Sequence, residues 1–294
     1  MPRKWKDRVA AFLAAGAAMV CVVLVFVVTL ALLYKSRPIL ETQSLTRLLF
    51  SSTWHPLRGE FGFRPFLLGT LWVTGLAMAL SVPVCLLAAI YLAEYASGRV
   101  RAAAKPLVDL LAGIPPVVYG LCGVIVVVPL VGKLGARLGS ATTGYSVLAG
   151  SIVLAVMVFP IIISVTEGVL RSVPLQAREA SLALGATKWQ TVKHVVLRSV
   201  PSGVAAAIVL GFSRAFGETM AVLMVVGNVP RPPASVFDPA YPLPALIANN
   251  YGEMMSIALY DSALLLAALI LLLVVLAFNV LATLVLRRVE RRMA

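Results

Sequence analysis

Six apolar runs, each long enough to cross a bilayer as a helix, decide what this chain can fold into. They lie at 9–33, 66–93, 107–131, 145–169, 199–227 and 262–286. A hydrocarbon core roughly 30 Å thick takes about 20 residues of helix. Water is absent there, so each run must satisfy its own backbone donors and acceptors, and a helix does so within one segment. Apolar residues make up 61% of the 294, and the mean hydropathy of +0.97 lies far outside the range of soluble domains. The chain is therefore expected to be an all-α integral membrane protein with about six transmembrane helices.

The net charge is +13 and the pI about 10.2. In a soluble chain that would point to nucleic acid; here the distribution gives another cause, and no nucleic-acid partner is expected. With both termini placed inside, Lys and Arg gather in four places. These are the start (Arg3, Lys4, Lys6, Arg8), the second connection (Arg99, Arg101, Lys105), the long fourth connection at 171–198, and the tail. That is roughly twice the number on the other side, as the positive-inside rule requires. The termini and the fourth connection are thus expected to be cytoplasmic.

Three runs carry no charge, and Asp109 and Glu167 lie off-centre in theirs, whereas Arg214 and Glu218 fall in the middle of the fifth. A charge at the bilayer midplane costs about 2.5–3.5 kcal/mol on insertion scales, and such residues usually mark a route for something polar. Four apart on one helix, the two share a face and can pair. Their attraction is on the order of 4 kcal/mol at about 4 Å and an effective dielectric near 20. Two readings follow: a static ion pair that knits the bundle, or a gated site for a charged solute, with Arg214 suggesting an anion. In the same run Ala207, Gly211 and Ala215 recur every four residues, a row that lets a second helix approach closely. Beside that row, Arg214 and Glu218 are expected to face the protein interior.

The connections are uneven. The first, 34–65, carries five basic and two acidic residues and is expected to be a solvated exterior loop. The last exterior one, 229–255, holds six prolines, which excludes a regular helix until a short helix at 245–255. Within the runs, Pro115 and Pro116 give the most severe break, consistent with a kink or with a discontinuous helix beside a polar path. Cys21, Cys85 and Cys122 have no paired spacing and no nearby His, so they read as apolar packing residues without metal or disulfide roles. The first run is too long for a signal-peptide core and is expected to remain as a helix.

The fourth connection is built as a knob. Pro174 suits a helix start, and Gly185 is placed to end that helix in a left-handed cap. Thr187 and Gln190 have capping-box spacing for a second short helix. Glu179-Ala180-Ser181, three residues, Gly185, nine residues and Val195-Val196-Leu197 resemble the E-A-A-x3-G-x9-I-x-L-P signature of permeases of bacterial ABC importers. The sequence departs from it at Ser181, where Ala is usual, and at Arg198, where Pro is usual. Leu-Leu-Ala-Gly-Ile-Pro-Pro-Val-Val-Tyr-Gly at 110–120, Arg-Ala-Phe-Gly-Glu-Thr-Met-Ala-Val-Leu from Arg214, and Phe237-Asp238-Pro239 are similar to the PstC-type permeases of phosphate importers. The sister PstA-type permeases typically continue the Arg-Ala-x-Gly-Glu-Thr block with Ala-Pro-Leu, unlike Met220-Ala221-Val222-Leu223 here.

The resemblance implies a type I importer permease: a peripheral helix and exterior loop at 1–65, then a permease core at 66–294 with the coupling loop at 171–198. It implies a bacterial inner-membrane location, a second permease as partner, two ATPase subunits docking on Glu179, Ala180, Ser181 and Gly185, and an extracytoplasmic phosphate-binding protein. Arg214, Glu218 and Thr219 are expected on the substrate pathway, with Glu218 holding Arg214 until the anion arrives. No Walker G-x-x-x-x-G-K-[ST] sequence occurs, so ATP and Mg are expected on the ATPase partners and no cofactor on this chain. The alternatives are a permease for another oxyanion such as molybdate or sulfate, the sister phosphate permease, a channel or carrier, and an intramembrane enzyme. With only His55 and His194 and no paired intramembrane aspartates, the last lacks its residues.

Overall fold

A computed structural model of the chain describes residues 2–253, 257 and 259–291, with side chains from 8 to 284 within those bounds. Helix α1 (Pro2–Lys35) makes the first pass. Short helices α2 (Arg37–Thr42) and α3 (Leu45–Phe50) and a 3-10 turn (Pro56–Arg58) lead to α4 (Arg64–Ile90), which continues as a π turn (Tyr91–Tyr95). Next comes α5 (Gly98–Gly113), then a third pass of α6 (Pro116–Cys122), a π turn (Gly123–Val127) and α7 (Val128–Arg137). Helix α8 (Val147–Arg171) returns to the side where α4 ended. There α9 (Leu175–Ala183), α10 (Lys188–Thr191), a π turn (Val192–Val196) and α11 (Leu197–Ser199) form the knob. Helices α12 (Pro201–Gly217) and α13 (Met220–Val225) cross back, α14 (Leu243–Asn250) lies at the far end, and α15 (Tyr260–Arg291) makes the last pass.

Among the described residues the regular structure is helical, and five helices are long and apolar enough to cross a membrane. Where the knob passes into α12, Lys188–Ser199 and Pro201–Gly217 are bent by 75°, and the number of crossings is six if that pair is one span. The expected span at 107–131 is displaced to Pro116–Arg137. Ile114 and Pro115 take extended backbone (ψ 128° and 142°), because the Pro-Pro step excludes the α conformation before each ring. Asp109 therefore belongs to α5, outside the span. Pro83 and Pro160 sit inside α4 and α8 without ending them.

The core is a slab of α4 and α8, with α12 laid on α8. Ala77, Cys85, Val147, Val158 and Ile162 are fully buried between them. Cys85 packs as expected; Cys21 and Cys122 are exposed on the single chain. Helix α1 touches chiefly α15 and leaves its apolar surface uncovered, as a peripheral helix in lipid does.

The segment 34–65 departs from the solvated loop expected of it. It is a packed cap: Ile39, Leu48, Phe61, Phe63 and Phe66 are buried together with Leu243, Leu246 and Tyr260. Trp54 stands at its centre, 4.8 Å from the Phe66 ring and 6.1 Å from that of Tyr260. The charged residues that suggested solvent lie on the outer surface, while the aromatic ones close over the ends of α4 and α15. The short helix expected at 245–255 runs from Leu243 to Asn250, and residues 254 and 255 lie outside the described residues.

Candidate functional site

Helix α12 starts at Pro201, where a proline without an N–H costs no hydrogen bond, and runs for 17 residues. Ala207, Gly211 and Ala215 are buried along one side of it. A Cβ on Gly211 would stand 2.6 Å from Ile162 Cγ1, so only glycine allows α8 this close. On another side Ser213 Oγ donates to Asn279 Oδ1 at 2.7 Å, and the Phe212 ring stacks on Phe278 at 3.5 Å, fixing α12 against α15.

The expected Arg214–Glu218 ion pair is absent. Among the described residues the ion pairs are Arg171–Glu167 and Arg178–Glu94. The reason is a break in the helix. Helix α12 stops at Gly217, and Glu218 takes extended backbone (φ −73°, ψ 125°), which rotates its side chain off the face of Arg214. Its Oε1 accepts the backbone N–H of Ala221 at 3.2 Å, satisfying the first turn of α13. Glu218 lies among Thr70, Thr74, Pro242 and Pro244, toward the far end. Thr219, between the two helices, donates from Oγ1 to Gly217 O at 3.4 Å.

Arg214 also departs from the interior position expected of it: it is exposed on the single chain. The small-residue row faces α8, and one residue before Ala215 is about 100° away around the helix. Arg214 lines a cavity of about 290 Å³ together with Ala112, Met157, Pro160, Ile161, Ser164 and Val165. The Tyr119 hydroxyl donates to Leu111 O at 2.7 Å across the Pro115 break. Ser164 borders a second cavity of about 710 Å³, which opens at the knob end and is lined by Arg101, Lys105, Asp109, Glu167 and Arg171 among others. The end of α5, at Ala112, and α8 thus wall the space beside Arg214, and Ser164 is common to both cavities.

In the knob, Gly185 has φ +83°, the left-handed turn that its position predicts. Thr187 and Gln190 form the capping box, with Thr187 N donating to Gln190 Oε1 at 2.8 Å and Gln190 N to Thr187 Oγ1 at 3.3 Å. Pro174 is the residue before the first turn of α9. Glu179, Ala180 and Gly185 are exposed, with Leu182 and Leu184 beside them; Leu184 is 90% exposed. Ser181 faces inward, its hydroxyl 3.0 Å from that of Thr191, which is what the departure from Ala provides.

One feature of the knob has no signal in the local sequence. Arg178 reaches Glu94, 84 residues away, through Nε at 3.2 Å and Nη2 at 2.9 Å. Nη2 also donates to Leu170 O at 2.8 Å and Nη1 to Val173 O.

Residues 85–294 match the family described as binding-protein-dependent transport system inner membrane component. The chain is 36% identical over 295 residues to the phosphate transport system permease protein PstC of Xylella fastidiosa (strain 9a5c), covering 95% of this chain and 90% of that protein. It is 39% identical over 225 residues to the probable ABC transporter permease protein YqgH of Bacillus subtilis (strain 168), covering 74% and 72%. Among solved structures, a bacterial alginate ABC transporter in complex with alginate pentasaccharide-bound periplasmic protein aligns over 97% of each chain, with TM-score 0.66 and 16% identity. An inward-facing MetNI methionine ABC transporter aligns over 75% of this chain and 93% of its own, with TM-score 0.57 and 22% identity. These two likenesses concern the fold, which is that of an ABC-importer permease. Matched family, relatives and fold coincide: the chain belongs to the family of binding-protein-dependent transport system inner membrane components.

Proposed function

We propose that this chain is the membrane permease subunit of an ATP-driven importer of inorganic phosphate. The observation that carries the reading is Arg214: an arginine within a membrane span, lining a cavity that shares Ser164 with the one at the knob end. Guanidinium is always charged and presents paired donors that match a tetrahedral oxyanion. The permeases of Xylella fastidiosa and Mesorhizobium japonicum, 36% and 31% identical, are named for phosphate transport, which favours phosphate among oxyanions.

In this reading the knob and both termini are cytoplasmic, two ATPase subunits bind the exposed surface of Glu179, Ala180, Leu184 and Gly185, and they hold the ATP and Mg. A second permease covers the exposed face of α12, so that Arg214 lies between two chains. An extracytoplasmic binding protein delivers phosphate at the far end. Closure of the ATPases moves the knob, and the anion passes Arg214 and leaves along Ser164 and Lys105. Glu218 needs no displacement by the anion, since it serves α13. Asp109 and Glu167 in the exit cavity weaken retention of the anion, which favours release.

The test is reconstitution of the complete complex in lipid vesicles with binding protein and radiolabelled phosphate. ATP-dependent phosphate uptake that excess sulfate and molybdate leave unchanged is expected. Uptake of sulfate or molybdate in place of phosphate would assign another oxyanion and overturn the phosphate reading.

A further inference from the structure

The contact between Arg178 and Glu94 joins three elements that are remote in sequence: α9 of the knob, the π turn that ends α4, and the last turn of α8. Glu94 and Arg178 side chains are 9% and 16% exposed. The guanidinium spends its donors on the Glu94 carboxylate and on the carbonyls of Leu170 and Val173. A fork of this shape fixes direction as well as distance, which a lysine cannot reproduce. Beneath it Ile90, Leu170, Val173, Val192 and Val196 form a separate apolar cluster.

A second arginine grips the same π turn. Arg101 donates from Nε to Leu92 O at 2.9 Å and from Nη2 to Ala93 O at 3.2 Å. The end of α4 therefore cannot shift without α9 and the start of α5. From Leu170, α8 runs without a break to Ser164, Ile161 and Pro160, which wall the Arg214 cavity.

We propose that Arg178 is a positioning residue that joins the knob to α4 and α8 as one body, so that displacement of α9 reaches the wall of the Arg214 cavity. This rests on the importer reading above. Without the fork, the knob still receives the ATPase, but its movement dissipates at the joint.

The experiment uses the full complex in vesicles, with Arg178→Lys and, separately, Glu94→Gln. Complex yield, ATP hydrolysis and phosphate uptake are measured on each. Uptake per ATP hydrolysed should fall about fivefold or more in both variants, with hydrolysis within about twofold of the unaltered complex. An unchanged ratio in either assembled variant overturns the proposal, as does loss of the complex in both, which would make the contact an assembly element. Failure of the importer reading is distinguishable, because the unaltered complex would then show no ATP-driven phosphate uptake.

Discussion

Glu218 Oε1 accepts the backbone N–H of Ala221 at 3.2 Å, so the carboxylate four residues after Arg214 serves the next helix and makes no ion pair with the arginine, which has none among the described residues. A continuous helix would have put the two on one face. The break at Gly217 separates them.

Glu218→Gln should therefore be mild, since an amide oxygen can still accept from Ala221. Glu218→Ala removes the acceptor and should cost about 1 kcal/mol of stability. In a double-mutant cycle with Arg214→Gln, the coupling energy in thermal unfolding of the purified complex should stay below about 0.5 kcal/mol. A coupling of several kcal/mol would restore the ion pair.

Gly185 has no atom within reach of an added Cβ, so any cost of substitution lies in the backbone at φ +83°. Gly185→Val should destabilise the turn by roughly 1–2 kcal/mol and reshape the knob, whereas Gly185→Asn, which tolerates this conformation, should cost less. Co-purification of ATPase and vesicle uptake should both be lower for Val than for Asn. Equal behaviour of the two would remove the turn from the account.

Gly211→Ala places a methyl 2.6 Å from Ile162 Cγ1, and the overpacking should cost about 1–3 kcal/mol. Adding Ile162→Val should recover part of that loss, measured as the unfolding midpoint in detergent. No recovery would mean that the strain lies elsewhere.

Phe63 is fully buried in the cap. Phe63→Ala should cost about 3–5 kcal/mol, as for a core aromatic, and expose residues 34–65 to protease. A solvated loop would tolerate the change within about 0.5 kcal/mol.

The crossings were legible because length and apolarity are local properties, and so were Gly185 and the Thr187–Gln190 box, whose chemistry is complete within a few residues. The break after α12 was missed because the apolar pattern runs through it; Gly217 followed by the acceptor side chain of Glu218 was the available sign. The cap is hidden in the sequence because its Arg and Lys suggest solvent, while the burial of Trp54, Phe61 and Phe63 depends on α14 and α15 far along the chain. The Arg178–Glu94 contact leaves no mark in a single sequence, since nothing near Glu94 encodes its partner.

The central claim is that Arg214 meets the transported anion. Its most direct measurement is ATP-dependent phosphate uptake by vesicles holding the complete complex with Arg214→Gln, beside Arg214→Lys. The account predicts that the complex assembles in both, that Gln abolishes uptake, and that Lys, which keeps the charge without the fork, retains a small part of it. Near-normal uptake by the Gln variant at low external phosphate would contradict it.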